Sequence, residues 1–131
     1  MKVIHTSGKR KESIARATLK DGDGHITING KSLDEFSSRT YRLKVQEPLM
    51  LAGEKAESVN ITINVKGGGI NGQATAVRLS IAKALAEKYP VLEDIFLDYD
   101  RQLLVADVRR KEERKPNTQG SARSKRQKSY R

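Results

Sequence analysis

Gly67, Gly69 and Gly72 stand at the spacing G-x-G-x-x-G, between an alternating apolar run and a helix-like stretch. In that setting the pattern is the written form of a dinucleotide-binding turn, whose backbone N–H groups hold a pyrophosphate at the start of a helix. Three features argue against that chemistry. The acids at about the right distance, Glu93 and Asp94, follow the helix-breaking Pro90 and do not close a second parallel strand. The preceding run sets Val59, Ile61, Ile63 and Val65 against Asn60, Thr62, Asn64 and Lys66, so it is apolar on one face only. Buried parallel strands are apolar on both. The repeated strand–helix units of such a sheet are also missing. A Walker-type phosphate loop fails as well, since no Gly-Lys-Ser/Thr follows. The glycines are better read as permitting a sharp strand-to-helix turn and close packing. A loop of Gly67, Gly68 and Gly69 can also lie against a nucleic-acid backbone, with Lys66 just before it and Arg78 on the following helix to assist.

Other catalytic chemistry has little material. The chain has no cysteine, which excludes disulfides and thiolate metal sites. His5 and His25 are the only histidines, too few for a multi-histidine zinc site and poorly placed for a Ser-His-Asp set. Asp98 and Asp100 flank Tyr99 and read as solvated acids in a turn. The expectation is a protein that is not an enzyme, with no cofactor, no metal and no small-molecule substrate.

The charge distribution points to polyanions. The 131 residues carry a formal +10, with 32% charged and only 5% aromatic residues. From Val108 to Arg131 ten Lys and Arg face two acids, Glu112 and Glu113. That is +8 in the tail, which leaves +2 for residues 1–107. The chain therefore divides into a globular domain, 1–107, and a basic tail, 108–131. The tail segment KPNTQGSARSKRQKSYR has no large aliphatic residue, so it is expected to be disordered when free. Its Arg109, Arg110, Lys111, Arg114, Lys115, Arg123, Lys125 and Arg126 suit phosphate neutralisation, which releases counterions without reading sequence. Lys9, Arg10 and Lys11 form a second basic group in an expected loop. No signal peptide or membrane span is legible, and the chain reads as soluble and intracellular.

These groups need elements to place them. Residues 3–6 are expected as a short strand, and 13–29 as a β-hairpin turning at Asp21-Gly22-Asp23-Gly24. A helical turn at 33–36 with Ser32 as N-cap and a helix over 40–51 follow, with Pro48 arguing against an uninterrupted one. The clearest strand is 59–66. A helix over 73–89 places Ala74, Val77, Ile81, Ala84 and Leu85 on one face and Arg78, Lys83, Glu87 and Lys88 elsewhere. A short helical turn at 92–97 and an extended segment at 103–108 complete the body.

Three segments together resemble one family. SGKRKESIARATLKDGDGHITING, VKGGGINGQATAVRLSIAKAL and DVRRKEERKPNTQGSARSKRQKSYR are similar to the start, the glycine block and the basic tail of the universal small-subunit ribosomal protein S nine family. The ending Gln127-Lys128-Ser129-Tyr130-Arg131 is similar to its archaeal and eukaryotic branch. The resemblance implies an α+β two-layer domain like the second domain of ribosomal protein S five, a mostly antiparallel sheet with helices on one face. It implies a cytoplasmic place on the ribosome, bound to the 3′ major (head) domain of small-subunit rRNA beside other head proteins. It also implies that the tail tip, Lys128, Tyr130 and Arg131, meets the peptidyl-site tRNA. A free RNA-binding or chaperone-like module would explain the tail equally well, but not the glycine block.

Overall fold

Alternation of apolar and polar residues makes half-buried strands, and this chain alternates in three of its longest runs. The computed structural model describes residues 3–36 and 39–105. It contains strands β1 (Ile4–Arg10), β2 (Ser13–Asp21), β3 (Ile26–Ile28), β4 (Lys31–Ser32) and β5 (Val59–Lys66). Helices α1 (Arg39–Ala52), α2 (Ile70–Lys88) and α3 (Val91–Tyr99) complete it, with 3-10 turns at Leu33–Glu35, Gly53–Ser58 and Arg101–Leu103. The strands form one sheet in the order β1-β2-β5-β3-β4. Every pairing is antiparallel except β3 with β5. This is the α+β two-layer architecture that the resemblance implied.

The sheet has two unlike faces. Ile4, Ala15, Ala17, Leu19, Ile26, Ile28, Val59, Ile61, Ile63 and Val65 are buried beneath the helices. The opposite face is uncovered among the described residues. Register aligns its side chains in rows: Lys9, Ile14 and Lys66; Ser7, Arg16 and Asn64; His5, Thr18 and Thr62; then Lys20 and Asn60.

α2 lies on β1, β2 and β5, and α1 and α3 pack against α2. It is therefore buried on more than the one stripe its spacing suggests: Ala76, Leu79, Ser80 and Ala82 are inside along with the expected five residues. Small residues permit this. A Cβ on Gly8 of β1 would stand 2.2 Å from the Ala76 carbonyl oxygen, so strand and helix touch nearly backbone to backbone. Thr6 Oγ1 donates to the Ser80 carbonyl (2.8 Å) and Lys83 Nζ to the Ser7 carbonyl (3.1 Å), fastening β1 along the same helix.

Several expectations are corrected. The hairpin is β1–β2, turning at Lys11 and Glu12, with Lys11 at φ 54°. β2 and β3 are not paired, because β5 lies between them. The residues 21–25 link the two over the end of β5, where Asn60 Oδ1 accepts from the backbone N–H groups of Asp23 and His25, both at 3.0 Å. Local turn chemistry in DGDG was therefore outweighed by the longer partner strand. β1 runs on to Arg10, so the expected basic loop is mostly strand. α1 passes through Pro48 unbroken: Val45, Pro48 and Ala52 are all buried, and tertiary packing offsets the hydrogen bond that proline cannot donate. Ser32 makes no side-chain cap to its 3-10 turn. Residues 101–103 form a 3-10 turn where an extended segment was expected to begin, and 106–108 lie outside the described residues. α3 fulfils the helical turn at 92–97 and extends it, with Leu92 and Phe96 in the core.

Candidate nucleic-acid interface

The glycine block joins β5 to α2, and its geometry decides what each glycine does. Gly67 (φ 83°) and Gly68 (φ 65°) occupy the left-handed region, which a residue with a Cβ enters at a cost. They also have no room. A Cβ on Gly67 would lie 2.4 Å from the Glu12 carbonyl oxygen, and one on Gly68 2.2 Å from Ser13 Oγ. The fully buried Ser13 hydroxyl donates to the Gly67 carbonyl (2.8 Å), and Gln73 Nε2 reaches the same oxygen at 3.2 Å. The close approach that these glycines permit is thus to the chain's own β1–β2 turn. Gly69 differs: it is the N-cap of α2 at φ −92°, exposed, with nothing within 4 Å of where a Cβ would stand. All three are exposed, but only Gly69 has open space where a Cβ would stand.

The basic residues before the turn are split by the strand's two-residue period. Lys9 is exposed on the uncovered sheet face, in one row with Lys66 across β1, β2 and β5. Arg10 is turned to the helical side, partly buried, lining a cleft with Lys44, Glu47, Arg78 and Asp100. Lys11 is exposed at the hairpin tip. Lys9, Lys66, Lys11 and Gly69 therefore share one end of the body, while Arg10 belongs to another environment.

Arg78 is the main correction. Its side chain is only 7% exposed, and its guanidinium is committed inside the protein. Nε and Nη2 donate to Glu47 Oε2 at 2.9 and 2.6 Å, and Nη2 donates to Asp100 Oδ2 at 3.1 Å. A phosphate would have to displace both carboxylates. Spacing predicts one buried stripe on α2, whereas α1 and the 101–103 turn cover its other side as well. Asp100, expected to be a solvated acid, also accepts the Gln102 N–H at 3.0 Å and caps that turn. This hydrogen bond and then Arg78 hold its carboxyl below the ordinary value, against the opposing effect of burial. Lys44 donates to Asn71 Oδ1 (3.1 Å); burial, then the Arg78 charge, lowers its pKa.

Residues 8–131 match the family described as Ribosomal protein S9/S16. The chain belongs to that family. Its relatives include proteins named small ribosomal subunit protein uS9 from Methanococcus maripaludis strain C7, 48% identical over 134 residues, and from Thermoplasma volcanium, 46% identical over 133 residues. Both alignments cover all of this chain and all of the relative. A member of this family is a structural component of the ribosome, not an enzyme, and it works on the ribosome in the cytoplasm. RNA binding and a part in translation fit that membership, and the glycine block that invited a nucleotide reading is a packing device within it. The tail residues singled out from the sequence, Arg109 to Arg131, lie outside the described residues.

Three outcomes test these assignments. Gly68→Ala will destabilise the fold by more than about 1 kcal/mol, since both its φ and its contact with Ser13 oppose a Cβ. Gly69→Ala will change stability by less than about 0.5 kcal/mol; urea unfolding of the two variants measures both. Replacing Arg78 with Met will cost about 1–3 kcal/mol at neutral pH by leaving two carboxylates without their donor, and Lys will not restore it because a point charge cannot serve both. Asp100 has a depressed folded pKa, so its contribution is present above its unfolded value and is lost as pH falls through the folded one. Below about pH 4 the wild-type chain will therefore lose stability more steeply than Asp100→Asn, measured as unfolding free energy against pH.

Proposed function

We propose that the chain is a structural constituent of the small ribosomal subunit that binds the 3′ major, or head, domain of the small-subunit rRNA and reaches the peptidyl-site tRNA with its tail. The observation that carries this reading is the family match running unbroken into a tail holding +8 of the chain's +10. A nearly neutral body with a cationic extension suits a protein that docks on folded RNA and threads its end between RNA helices. Lys9, Lys11, Lys66 and the open edge at Gly69 supply the body's contacts at one end of the sheet. Arg109, Arg110, Lys111, Arg114, Lys115, Arg123, Lys125 and Arg126 neutralise phosphates along the path. Lys128 and Arg131 add positive charge beside the tRNA backbone, and Tyr130 stacks on a base or ribose. Neighbouring head proteins complete the partner set.

The test is RNA affinity against salt, using a 3′ major-domain fragment, for the full chain and for one ending at Asp107. If the tail neutralises about five phosphates, truncation will flatten the log–log slope by roughly four units. An unchanged slope would remove the tail from RNA binding. For the tip, small subunits reconstituted with protein lacking Lys128 to Arg131 will retain less peptidyl-site tRNA while the body unfolds as before. Equal retention would refute the tRNA contact.

A further inference from the structure

The uncovered face of the sheet is unlike the rest of the body in its charge. Among the five strands the single acid is Asp21, and it lies on the covered side, paired with Lys88 of α2. The open face carries four exposed cations, Lys9, Arg16, Lys20 and Lys66, and no carboxylate. Among the described residues no carboxylate pairs with any of the four. Two of them, Arg16 and Lys20, are not among the contact residues that the sequence suggests. The space between them is filled by short neutral hydrogen-bonding side chains, such as Thr62 and Asn64, and Ile14 is the lone aliphatic.

We infer that this sheet face is the body's main RNA-docking surface, and that its ligand is helical RNA held by phosphates and 2′-hydroxyls across a minor groove. The inference rests on the ribosomal reading above and extends the body's contacts from one end of the sheet across its open face. Charge selects a polyanion, since four unpaired cations without an acid repel one another until phosphate joins them. Composition argues against a protein partner, because interface cores are rich in aromatic and apolar side chains and poor in Lys. Single-stranded RNA fits less well, because its binders stack bases on aromatic rings and none of these strands carries Phe, Tyr or Trp. Shape selects the helix type. The A-form minor groove is wide and shallow and displays 2′-hydroxyls. A gently twisted sheet bearing Thr and Asn between cations can lie over it, whereas B-form DNA is read mainly by elements inserted into its major groove. The long Lys and Arg side chains reach the flanking phosphates, and the short ones meet the sugar edge between.

The experiment compares the full-length wild type, Arg16→Gln/Lys20→Gln, and a control that loses the same charge elsewhere, Lys55→Gln/Arg101→Gln. The probe is an RNA hairpin with an uninterrupted stem, and affinity is measured against salt. Arg16, Lys20 and Arg101 are exposed and Lys55 is half-buried, none of the four side chains has a partner among the described residues, and a urea unfolding midpoint equal to wild type verifies that each variant is folded. On the RNA stem the sheet-face variant is expected to lose about two units of slope, near 0.9 for each phosphate contact removed, while the control keeps the wild-type slope. A Thr62→Val/Asn64→Ala variant is expected to narrow the preference for the RNA stem over a DNA stem of the same sequence. Equal slopes for the sheet-face variant and the control overturn the inference while leaving the ribosomal reading intact. So does a sheet-face variant that binds RNA normally but fails to enter reconstituted small subunits, which would assign the face to a neighbouring protein. Failure of the wild type itself to bind either this stem or the 3′ major-domain fragment would instead defeat the ribosomal reading.

Discussion

A buried guanidinium organises the helical side of this molecule. Arg78 sits in the middle of α2, and a charge placed there is tolerable only if it is paired and hydrogen-bonded. Glu47 meets it from α1 and Asp100 from the turn after α3. The three segments that surround α2 away from the sheet are thus tied to one atom group. Removing either acid leaves α2 holding a partly unpaired charge, so the arrangement resists sliding of any one segment. The same cluster fixes the last described segment of the body. Asp100 caps the 101–103 turn, and Leu103 is fully buried just beyond it.

The other half of the molecule depends on close backbone approach. Gly8 lets β1 rest on α2, and Gly67 and Gly68 let the β5–α2 junction press on the β1–β2 turn. Both contacts lie towards the turn end of the same hairpin, so the sheet is located on the helix without large side chains between them. Few aromatics are then needed: Phe96 is the largest fully buried side chain, and the remaining core is aliphatic.

How much of this was legible in the sequence follows from how local each feature is. Strand β5 and helix α2 were readable because alternation and the 3.6-residue period are properties of the segments themselves. The pairing of β1 with β2 was obscured because Lys9, Arg10 and Lys11 look like a loop, although two of them simply alternate between the faces of an edge strand. The place of β5 between β2 and β3 is a long-range fact that no turn signal carries. Asn60, which alternation marks only as a polar position of β5, uses its side-chain oxygen to hold the 21–25 link. Arg78 was misplaced for a similar reason. Its position on the helix was known, but the acids that draw it inward come from residues 47 and 100. The cations of the open face were each visible in the alternating runs, yet only the register brings Lys9 and Lys66 into one row and sets Arg16 beside Asn64.

The fastening of β1 to α2 has a consequence for the protein before it meets any partner. β1 is a seven-residue strand at the edge of the sheet, and such an edge is a template on which another chain can add a strand. Here the Ser7 carbonyl takes the ammonium of Lys83 and Lys9 stands out from the strand. Both devices discourage intermolecular pairing. Newly made protein awaiting assembly thereby keeps its border closed to copies of itself, and it does so with lysines whose positive charge also suits a polyanionic destination.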